Sequence, residues 1–305
     1  MRTTLITGAN GFIGKNLVEK LVSNKIHVTA LDLPGTFDKD YHHEYYQQIE
    51  VDYSNLKEFY GKVRTSPDVL FHLAWDGVKA ELRNDYFYQL KNIELSMNVM
   101  EFAAGIDTKK IVMLGSASEY LNGGTVISGD SIPSPIEAYG AVKSAANVIC
   151  QSYAFQKGIP FVKTIVSSLY GPGRDDNNIL SYAIKCLLGR EKPIFTALEQ
   201  EWDFLYIDDF LEALYLIGKK GEGGKTYPIA SGTSRPMAEY IEIIHNQIDS
   251  LLPLGIGEMP YKAGKPENAV FDISILARDT GFYPTHKFED AIVNVIEYFK
   301  GLEEL

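Results

Sequence analysis

Three glycines at a spacing of three, between an apolar run and an amphipathic segment, constrain this chain more than any other stretch. The apolar run at residues 3–7 predicts a buried strand, and Gly8, Gly11 and Gly14 follow it. Gly8 would let the chain turn sharply, Gly11 would let backbone approach a pyrophosphate, and Gly14 would let the next helix lie close to the sheet. A diphosphate would then meet the positive N-terminal end of that helix, which begins near Phe12. We therefore interpret this turn as a phosphate cradle.

The segments after the turn complete a βαβ unit. Residues 16–22 have helical patterning, and residues 26–31 predict a second strand that ends on Asp32, about where a ribose would lie. The spacing Gly-x-x-Gly-x-x-Gly departs from the usual dinucleotide fingerprint, Gly-x-Gly-x-x-Gly. The context still favours a dinucleotide site over the alternative, a glycine turn that only packs a helix.

Composition excludes several other classes of protein. A chain of 305 residues predicts one α/β core with a smaller lobe, and the formal net charge of −11 argues against a nucleic-acid partner or an anionic membrane surface. Cys150 and Cys186 give neither a disulfide framework nor a metal-ligand spacing, so we interpret both as core residues and expect no metal. No apolar run approaches the roughly 20 residues that span a bilayer, and the chain begins almost at once with a strand. We therefore expect a cytoplasmic protein without a signal peptide.

Strand and helix patterns alternate along the first half of the chain, which predicts an α/β fold with a doubly wound parallel sheet of the Rossmann type. Further strands are predicted at residues 48–51, 68–74, 110–115 and 160–166, and helices at 56–63, 85–104 and 137–155. After residue 166 the alternation loosens, with predicted helices at 179–188, 210–217, 237–251 and 289–302 and extended segments at 201–207 and 226–230. We expect a dinucleotide-binding Rossmann domain at 1–166, to which about 203–231 return, and a smaller discontinuous C-terminal substrate lobe within 167–305.

A tyrosine and a lysine stand four residues apart at the start of the predicted helix 137–155. One helical turn places Tyr139 and Lys143 on one face. A tyrosine with a free pKa of about 10 is a poor base at neutral pH, and a neighbouring ammonium favours its phenolate. Such a pair can move a proton to or from a sugar hydroxyl while hydride passes to or from a nicotinamide. Ser116, at the carboxyl end of the predicted strand 110–115, can orient the reacting oxygen.

These motifs, in their order along the chain, resemble the extended short-chain dehydrogenase/reductases, and specifically the sugar-nucleotide epimerase/dehydratase family. The matching stretches are 7–14, Asp32, 71–74, Ser116, Tyr139 with Lys143, 170–173 and 202–209. The resemblance implies that Tyr139 is the acid/base, that Lys143 lowers its pKa and holds the nicotinamide ribose, and that Ser116 positions the substrate oxygen. The cofactor contacts that the resemblance implies are Gly8, Asn10, Gly11, Phe12, Ile13, Gly14, Asp32, Asp52, Tyr53, Leu73, Ala74, Tyr139 and Lys143.

Two acidic residues bear on the identity of the cofactor. A carboxylate at Asp32 would accept a hydrogen bond from a ribose 2′-hydroxyl and repel a 2′-phosphate, so NAD(H) is favoured over NADP(H). Alternatively, Asp32 turns outward and the pocket tolerates both. Asp52 could contact the adenine amino group or act as a helix N-cap, and both interpretations stay open. His72, inside a predicted buried strand, is interpreted as a hydrogen-bonded core residue.

Departures from the family pattern narrow the reaction. The 4,6-dehydratase members carry an acidic pair or Ser-Glu just after the position of Ser116, used to remove a proton and expel water, whereas Ala117 and Ser118 stand there in this chain. Dehydration is therefore disfavoured. Glu119 lies one place further on, and we interpret it as a salt-bridge partner or a solvent contact.

The cations of the predicted substrate site also depart from the family. An arginine that many relatives use to hold the diphosphate is Trp202 here, and a later family arginine resembles Lys265. Lysine offers phosphate a point charge without the bidentate fork of arginine. Arg174 and Arg235 are candidates for the missing fork, and each could equally be a surface charge.

Three further residues are predicted substrate contacts. Ser118 follows the predicted catalytic serine, and Ser168 stands where an asparagine is often found in relatives. Trp75 replaces a small residue that is usual where substrate and nicotinamide meet. Two interpretations of Trp75 stay open, a wall of the sugar pocket and a core packing residue.

We expect an oxidoreductase that acts at C4 of a nucleotide-diphosphate sugar, with reduction of a 4-keto-6-deoxyhexose as the first hypothesis. The alternative is an NAD-dependent nucleotide-sugar 4-epimerase, which uses the same three residues and keeps its NAD bound while the keto sugar rotates. A non-catalytic dinucleotide sensor would have no use for the tyrosine-lysine pair. The predicted helices 85–104 and 137–155 resemble those that relatives pair into a four-helix interface, so we also expect a homodimer.

Overall fold

Parallel strands form a central sheet in the computed structural model, which describes residues 1–38, 40–122, 126–174, 178–261 and 267–303. The strands are β1 (Thr3–Thr7), β2 (His27–Asp32), β3 (Tyr46–Glu50), β4 (Val69–His72), β5 (Ile111–Leu114), β6 (Phe161–Val166), β7 (Ser168–Tyr170), β8 (Glu201–Trp202), β9 (Phe204–Tyr206), β10 (Thr226–Ile229) and β11 (Arg235–Pro236). The helices are α1 (Phe12–Ser23), α2 (Ala80–Arg83), α3 (Tyr86–Gly105), α4 (Ala138–Lys157), α5 (Ile179–Leu188), α6 (Ile207–Lys220), α7 (Met237–Ile248), α8 (Ser274–Thr280) and α9 (Phe288–Glu303), with 3₁₀ helices at Leu56–Lys62 and Ala117–Glu119. Among the described residues, no helix combines the length and apolarity that a bilayer crossing requires.

The central sheet contains seven parallel strands in the order β10-β6-β5-β4-β1-β2-β3. The chain moves outward from β1 to β3 and then returns to place β4 on the other side of β1, so the strand order reverses between β1 and β4. Open α/β sheets bind ligands at such a reversal, beyond the carboxyl ends of the strands. The predicted doubly wound parallel sheet is confirmed, and the segment predicted at 226–230 is its edge strand β10.

Hydrophobic side chains cover both faces of the sheet, because its strands are apolar at consecutive positions. Leu5 and Leu70 belong to a buried cluster with α3 and α4, whereas Ile6 and Phe71 belong to a cluster with α1 and α6. Fully burying a side chain of this size contributes about 1.5–3 kcal/mol. Helices packed on both faces therefore stabilise the sheet, and its parallel strands place their carboxyl ends at a common edge.

The two cysteines differ in burial. Cys150 is fully buried in the cluster that contains α3 and α4, as predicted, and burial raises the pKa of its thiol to about 12. Cys186 on α5 is only partly buried.

The elements after β6 depart furthest from the sequence prediction. Residues 201–207 form two short strands, β8 and β9, instead of one, and α6 begins at Ile207 rather than at Phe210. The two strands are distinct because β8 pairs antiparallel with β11, whereas β9 pairs parallel with β7. Asp203 lies between them, and its buried carboxylate accepts a hydrogen bond from the backbone N–H of Ser231 at 2.8 Å. The elements β7, β11, α2 and α8 are absent from the prediction, because two to seven residues are too few to show a period.

A buried ion pair joins the loop after β5 to strand β6. The side chain of Glu119 is 0% exposed, and its carboxylate accepts hydrogen bonds from Lys163 Nζ at 2.7 Å, the backbone N–H of Ser116 at 2.8 Å and the Ser144 hydroxyl at 3.2 Å. Burial opposes the charge of Lys163, but Glu119 and the Tyr120 hydroxyl outweigh it and raise the pKa of the lysine. The expected salt bridge of Glu119 is confirmed and the expected solvent contact is wrong.

We expect Glu119→Gln to lower the free energy of unfolding by about 3–5 kcal/mol, because it leaves the Lys163 ammonium buried without a counter-charge. Adding Lys163→Met should recover part of this loss. Equilibrium urea unfolding measures both variants. Glu212→Gln, which removes a partly exposed ion pair with Lys20, is the matched control and should change stability by less than about 1 kcal/mol. Equal losses at Glu119 and Glu212 would contradict the interpretation.

Candidate active site

The glycine turn brings α1 close to the end of β1. Gly8 has a φ of +69°, and a Cβ added there would lie 2.8 Å from the backbone of Ala74. A Cβ on Gly14 would lie 2.2 Å from the carbonyl oxygen of Gly8. Neither contact is sterically possible, so the protein's own packing requires glycine at both positions.

Gly11 is different, because the protein itself leaves room for a side chain there. Its φ of −70° suits any residue, and the nearest atom to an added Cβ is the Gly8 carbonyl oxygen at 3.5 Å. Gly11 is also the N-cap of α1 and has no side-chain capping bond, and the first turn of α1 carries no acidic residue. The first amides of α1 therefore keep their capacity to bind an anion, and the residues present fit a dinucleotide diphosphate.

Asp32 links the end of β2 to the glycine turn. Its Oδ2 accepts a hydrogen bond from the backbone N–H of Asn10 at 2.7 Å, and its Oδ1 accepts one from Leu33 at 2.8 Å. The Asn10 side chain donates to the carbonyl oxygen of Thr36. A carboxylate offers about four acceptor positions, so Asp32 can hold the turn and still accept a hydrogen bond from a ribose hydroxyl.

The hydroxyl of Tyr53 also supports the glycine turn through hydrogen bonds. It accepts a hydrogen bond from the backbone N–H of Gly8 at 2.9 Å and donates one to the carbonyl oxygen of Leu31 at 3.0 Å. Tyr53 is buried. Tyr53, which the sequence predicts as a cofactor contact, therefore stabilises the glycine turn through its hydroxyl.

Asp52 is exposed and begins a turn, in which its carbonyl oxygen accepts a hydrogen bond from the backbone N–H of Asn55. Its carboxylate accepts hydrogen bonds at 2.8 Å from the backbone N–H and the hydroxyl of Ser54, which lowers its pKa. The N-cap of the following 3₁₀ helix is Asn55, not Asp52. Asp52 thus caps the turn that precedes the helix, and the N-cap interpretation is wrong.

The carboxyl end of β4 is held by Thr7. The Thr7 hydroxyl accepts hydrogen bonds from the backbone N–H of Leu73 at 3.2 Å and of Ala74 at 3.3 Å, and it contacts His72 Nδ1 at 2.8 Å. His72 also contacts the Ser96 hydroxyl through Nε2 at 3.0 Å. Burial lowers the pKa of His72 to about 3, so the imidazole stays neutral. The interpretation of His72 as a hydrogen-bonded core residue is confirmed.

The predicted catalytic residues lie together at the carboxyl edge of the sheet. Ser116 follows β5, and Tyr139 and Lys143 occupy the first two turns of α4, with exposed fractions of 8% for the tyrosine and 6% for the lysine. Burial raises the pKa of Tyr139, while the Arg83 guanidinium and a hydrogen-bonding interaction with Ser116 act to lower it. From the sequence we expected Lys143 to lower the pKa of Tyr139. In the structure the cation that lowers it is Arg83, a residue on α2.

Lys143 lies closer to an indole than to the phenol. Its Nζ is 3.8 Å from the ring centroid of Trp75 and 5.6 Å from that of Tyr139. Burial lowers the pKa of Lys143 to about 8, although Glu119 opposes this shift.

Trp75 packs against the core, as one of its two interpretations predicted, and its role as a wall of a sugar pocket stays a prediction. Its ring meets that of Tyr139 edge-on, with centroids 5.9 Å apart, and its Nε1 donates to Gln89 at 3.0 Å, while the remainder packs against the cluster of α3 and α4. The position of Trp75 is thereby set from two sides. Neither Gln89 nor Arg83 is among the residues predicted from the sequence.

The remaining predicted substrate residues fall into separate groups. Trp202 Nε1 donates a hydrogen bond to the Ser168 hydroxyl at 2.8 Å, which brings those two residues together. Arg174 donates to the Leu169 carbonyl oxygen and lies 6.0 Å from the ring of Phe12 in the first turn of α1. Ile13 follows Phe12 in that turn.

Arg235 pairs with Glu289, so part of its charge is already neutralised within the protein. Lys265 lies outside the described residues.

Comparison with known proteins assigns this arrangement of residues to a family. Residues 4–230 match the sequence model of the NAD dependent epimerase/dehydratase family. The chain belongs to this family. The predicted resemblance is thereby confirmed, and the chain is an enzyme of an NAD-dependent family that acts on nucleotide sugars.

Relatives within the family carry out different reactions. The chain is 27% identical to the uncharacterised UDP-glucose epimerase YtcB of Bacillus subtilis, with 98% of each chain covered. It is 26% identical to the UDP-N-acetyl-alpha-D-glucosaminuronate decarboxylase of Bacillus cytotoxicus, again with 98% of each covered. The solved UDP-glucuronic acid 4-epimerase of Bacillus cereus, in complex with UDP-glucuronic acid and NAD, superimposes with a TM-score of 0.86 at 25% identity, covering 98% of this chain and 99% of that one.

The present chain has Ala117 and Ser118 at the positions where the 4,6-dehydratases of the family carry an acidic residue. The Ser118 hydroxyl accepts a hydrogen bond from Arg83 Nη2 at 2.8 Å. Glu119, the next residue, is fully buried and paired with Lys163. Its carboxylate is therefore already engaged by Lys163, the backbone N–H of Ser116 and the Ser144 hydroxyl.

Gly11→Ala and Gly14→Ala test the cradle as a matched pair. Gly11→Ala should leave the melting temperature nearly unchanged and weaken NAD binding at least about tenfold, or roughly 1.4 kcal/mol, because its methyl group occupies space needed by the diphosphate. Gly14→Ala should lower the melting temperature strongly, because its Cβ meets backbone at 2.2 Å. Differential scanning calorimetry and isothermal titration calorimetry measure the two effects, and unchanged affinity in Gly11→Ala would count against the cradle.

Proposed function

We propose that this protein reduces the C4 keto group of a nucleotide-linked 4-keto-6-deoxyhexose, with NAD(H) favoured as cofactor. The observation that carries the proposal is the cluster of Ser116, Tyr139 and Lys143 at the carboxyl edge of the sheet, the same edge at which the glycine turn leaves β1. Ala117 and Ser118 stand after Ser116 in place of a dehydratase acid. Reduction of a keto group assigns a role to each of the three residues of this cluster.

In this proposal the chain's own residues handle the proton. Tyr139 donates the proton of its hydroxyl to the C4 oxygen, and the Ser116 hydroxyl hydrogen-bonds the same oxygen and orients it. Lys143 binds the nicotinamide ribose, while Gly11 and the N-terminus of α1 hold the diphosphate. NADH supplies the hydride that C4 accepts. The keto group thus gains one hydride and one proton and becomes a secondary alcohol.

Trp75 favours reduction over epimerisation. A 4-epimerase must let the keto sugar rotate before the hydride returns, so it needs free space beside the acid/base. In this chain an indole lies edge-on to the Tyr139 ring, held by Gln89 and by the cluster of α3 and α4. A pocket narrowed in this way suits a sugar that reacts in one orientation.

The 4-epimerase remains the second candidate, and the relatives favour it. Both the Bacillus subtilis relative and the superimposed Bacillus cereus structure are named as 4-epimerases or UDP-glucose epimerases, and each covers nearly the whole chain. An epimerase uses the same three residues, so the difference from a reductase lies in pocket width and in how tightly NAD is retained.

We further propose that residues 167–305 contribute most of the substrate lobe and that about 203–231 return to the domain of residues 1–166. Ser168 and Trp202, joined by a hydrogen bond, are the proposed contacts to the sugar nucleotide, together with Ser118. Arg174 supports the diphosphate assignment, because it lies beside the first turn of α1.

The assay supplies purified protein and reduced cofactor to a panel of UDP-, GDP-, CDP- and dTDP-linked 4-keto-6-deoxy sugars. We expect consumption of reduced nicotinamide with at least one of them, and Tyr139→Phe should lower kcat by about 10²–10⁴-fold while NAD affinity is retained. NAD that copurifies with the protein, together with interconversion of two hexoses without added cofactor, would support the epimerase instead. No reaction with any sugar nucleotide would reject both.

We also propose that the protein forms a homodimer through α3 and α4, which pack against each other. Both helices expose large apolar side chains of the kind that a partner surface would cover. These residues are Tyr86, Phe87, Leu90, Val148, Ile149 and Phe155.

Val148→Glu should convert the dimer to a monomer, because it buries a carboxylate in an apolar interface. Light scattering at micromolar concentration measures the mass. Leu251→Glu, at a residue that is 92% exposed and lies outside both helices, is the control and should leave the dimer intact. A monomeric mass for the unmodified chain would reject the proposal.

A further inference from the structure

Arg83 lies against the ring of the proposed acid/base. Its guanidinium carbon is 4.2 Å from the ring centroid of Tyr139, within the distance at which a cation is attracted to an aromatic face. Arg83 is the last residue of α2, in the connection between β4 and α3. Neither the sequence motifs nor the proposed mechanism gives this residue a role.

Two fixed partners hold the guanidinium in that position. Its Nη2 donates to the Ser118 hydroxyl at 2.8 Å, and its Nε donates to Glu137 Oε2 at 3.4 Å, while Nη2 also pairs with the second oxygen of Glu137. Glu137 is the N-cap residue of α4, two positions before Tyr139. Arg83 therefore joins α2, the turn after β5 and the start of α4, which are the segments that carry the proposed site.

The charged groups that face the phenol come from each of these elements. Arg83 approaches from α2, Glu137 and Lys143 from α4, and Glu119 from the turn after β5. Lys163 on β6 neutralises Glu119 from behind. Burial raises the pKa of Tyr139, Arg83 lowers it, and both glutamates raise it.

Arg83 and Lys143 are both cations near the Tyr139 ring. Arg83 lies closer to the ring, and its charge varies less with pH. Its Cζ is 4.2 Å from the Tyr139 centroid, compared with 5.6 Å for Lys143 Nζ. The pKa of Lys143 is lowered to about 8, mainly by burial, so its charge begins to decline near neutral pH. A guanidinium keeps its charge throughout the range in which proteins are folded.

We propose that Arg83 is a positioning residue for Tyr139, which clamps the phenol ring through Ser118 and Glu137 and stabilises its phenolate. Arg83 exchanges no proton; it acts through Tyr139. The inference deepens the proposed function, since it rests on Tyr139 as the acid/base, and it identifies a cation additional to Lys143.

The test reads the ionisation of residue 139 directly. A fluorinated tyrosine of lower intrinsic pKa is incorporated at position 139 of the full chain loaded with NAD, and its fluorine NMR signal is followed as the pH is raised. Arg83→Gln should raise the midpoint by about one pH unit or more, because an opposite charge at this distance has been removed. Arg83→Lys should restore most of the shift, since it keeps the charge.

Arg64→Gln is the matched control, because Arg64 is exposed in the connection before β4 and should leave the midpoint unchanged. Should Arg83→Gln not fold, Arg83→Met removes the same charge at similar volume. An equal midpoint in the Arg83 and Arg64 variants would overturn the proposal. The titration needs no turnover, so this result is distinct from a failure of the proposed reaction.

The pH profile of reduction supplies a second readout. Reduction requires Tyr139 in its protonated form, so kcat falls as the pH rises through the pKa of this residue. Because Arg83→Gln raises that pKa, the fall in kcat should move to higher pH by the same amount as the NMR midpoint. A variant that only lowered kcat at every pH would indicate a structural defect and would contradict the proposed role.

Discussion

The close approach of α1 to the end of β1 is the constraint on which the site depends. No side chain fits between Gly14 and the carbonyl of Gly8, and Gly8 itself needs a φ of +69° to turn the chain off the strand. The first amides of α1, which no side chain caps, therefore follow the carboxyl end of β1, where the strand order reverses between β1 and β4. Asp32 and Tyr53 hydrogen-bond the turn from two sides and hold it there.

The site also depends on the burial of two ionisable side chains, Tyr139 and Lys143. Desolvation disfavours the charged form of both Tyr139 and Lys143, so a site that moves a proton through the phenol needs nearby charges to offset burial. Arg83 offsets burial for Tyr139, and Glu119 offsets it for Lys143. Each of these charges is itself paired, Arg83 with Glu137 and Glu119 with Lys163. The pairing keeps these charges in place and limits the cost of burying them.

Local spacing explains why part of the site could be predicted. Tyr139 and Lys143 share a face because a helix repeats every 3.6 residues, and Ser116 joins them because parallel strands end at a common edge. Arg83 was beyond prediction, because it reaches Glu137 across 54 positions through a short helix without a recognisable pattern. Glu119 was assigned a possible solvent contact for the same reason, since its burial depends on Lys163, 44 positions away.

The sequence by itself determined the α/β class, the parallel sheet and the glycine turn, because these follow from apolar periodicity and from residues close together in the chain. Only the tertiary structure decided which charges lie near Tyr139 and how Trp75 contacts both Gln89 and Lys143. It also decided that β8 ends before Asp203 and that β9 begins after it. Those features depend on contacts between distant segments. Side-chain burial and pairing across such distances emerge only when the whole chain has packed.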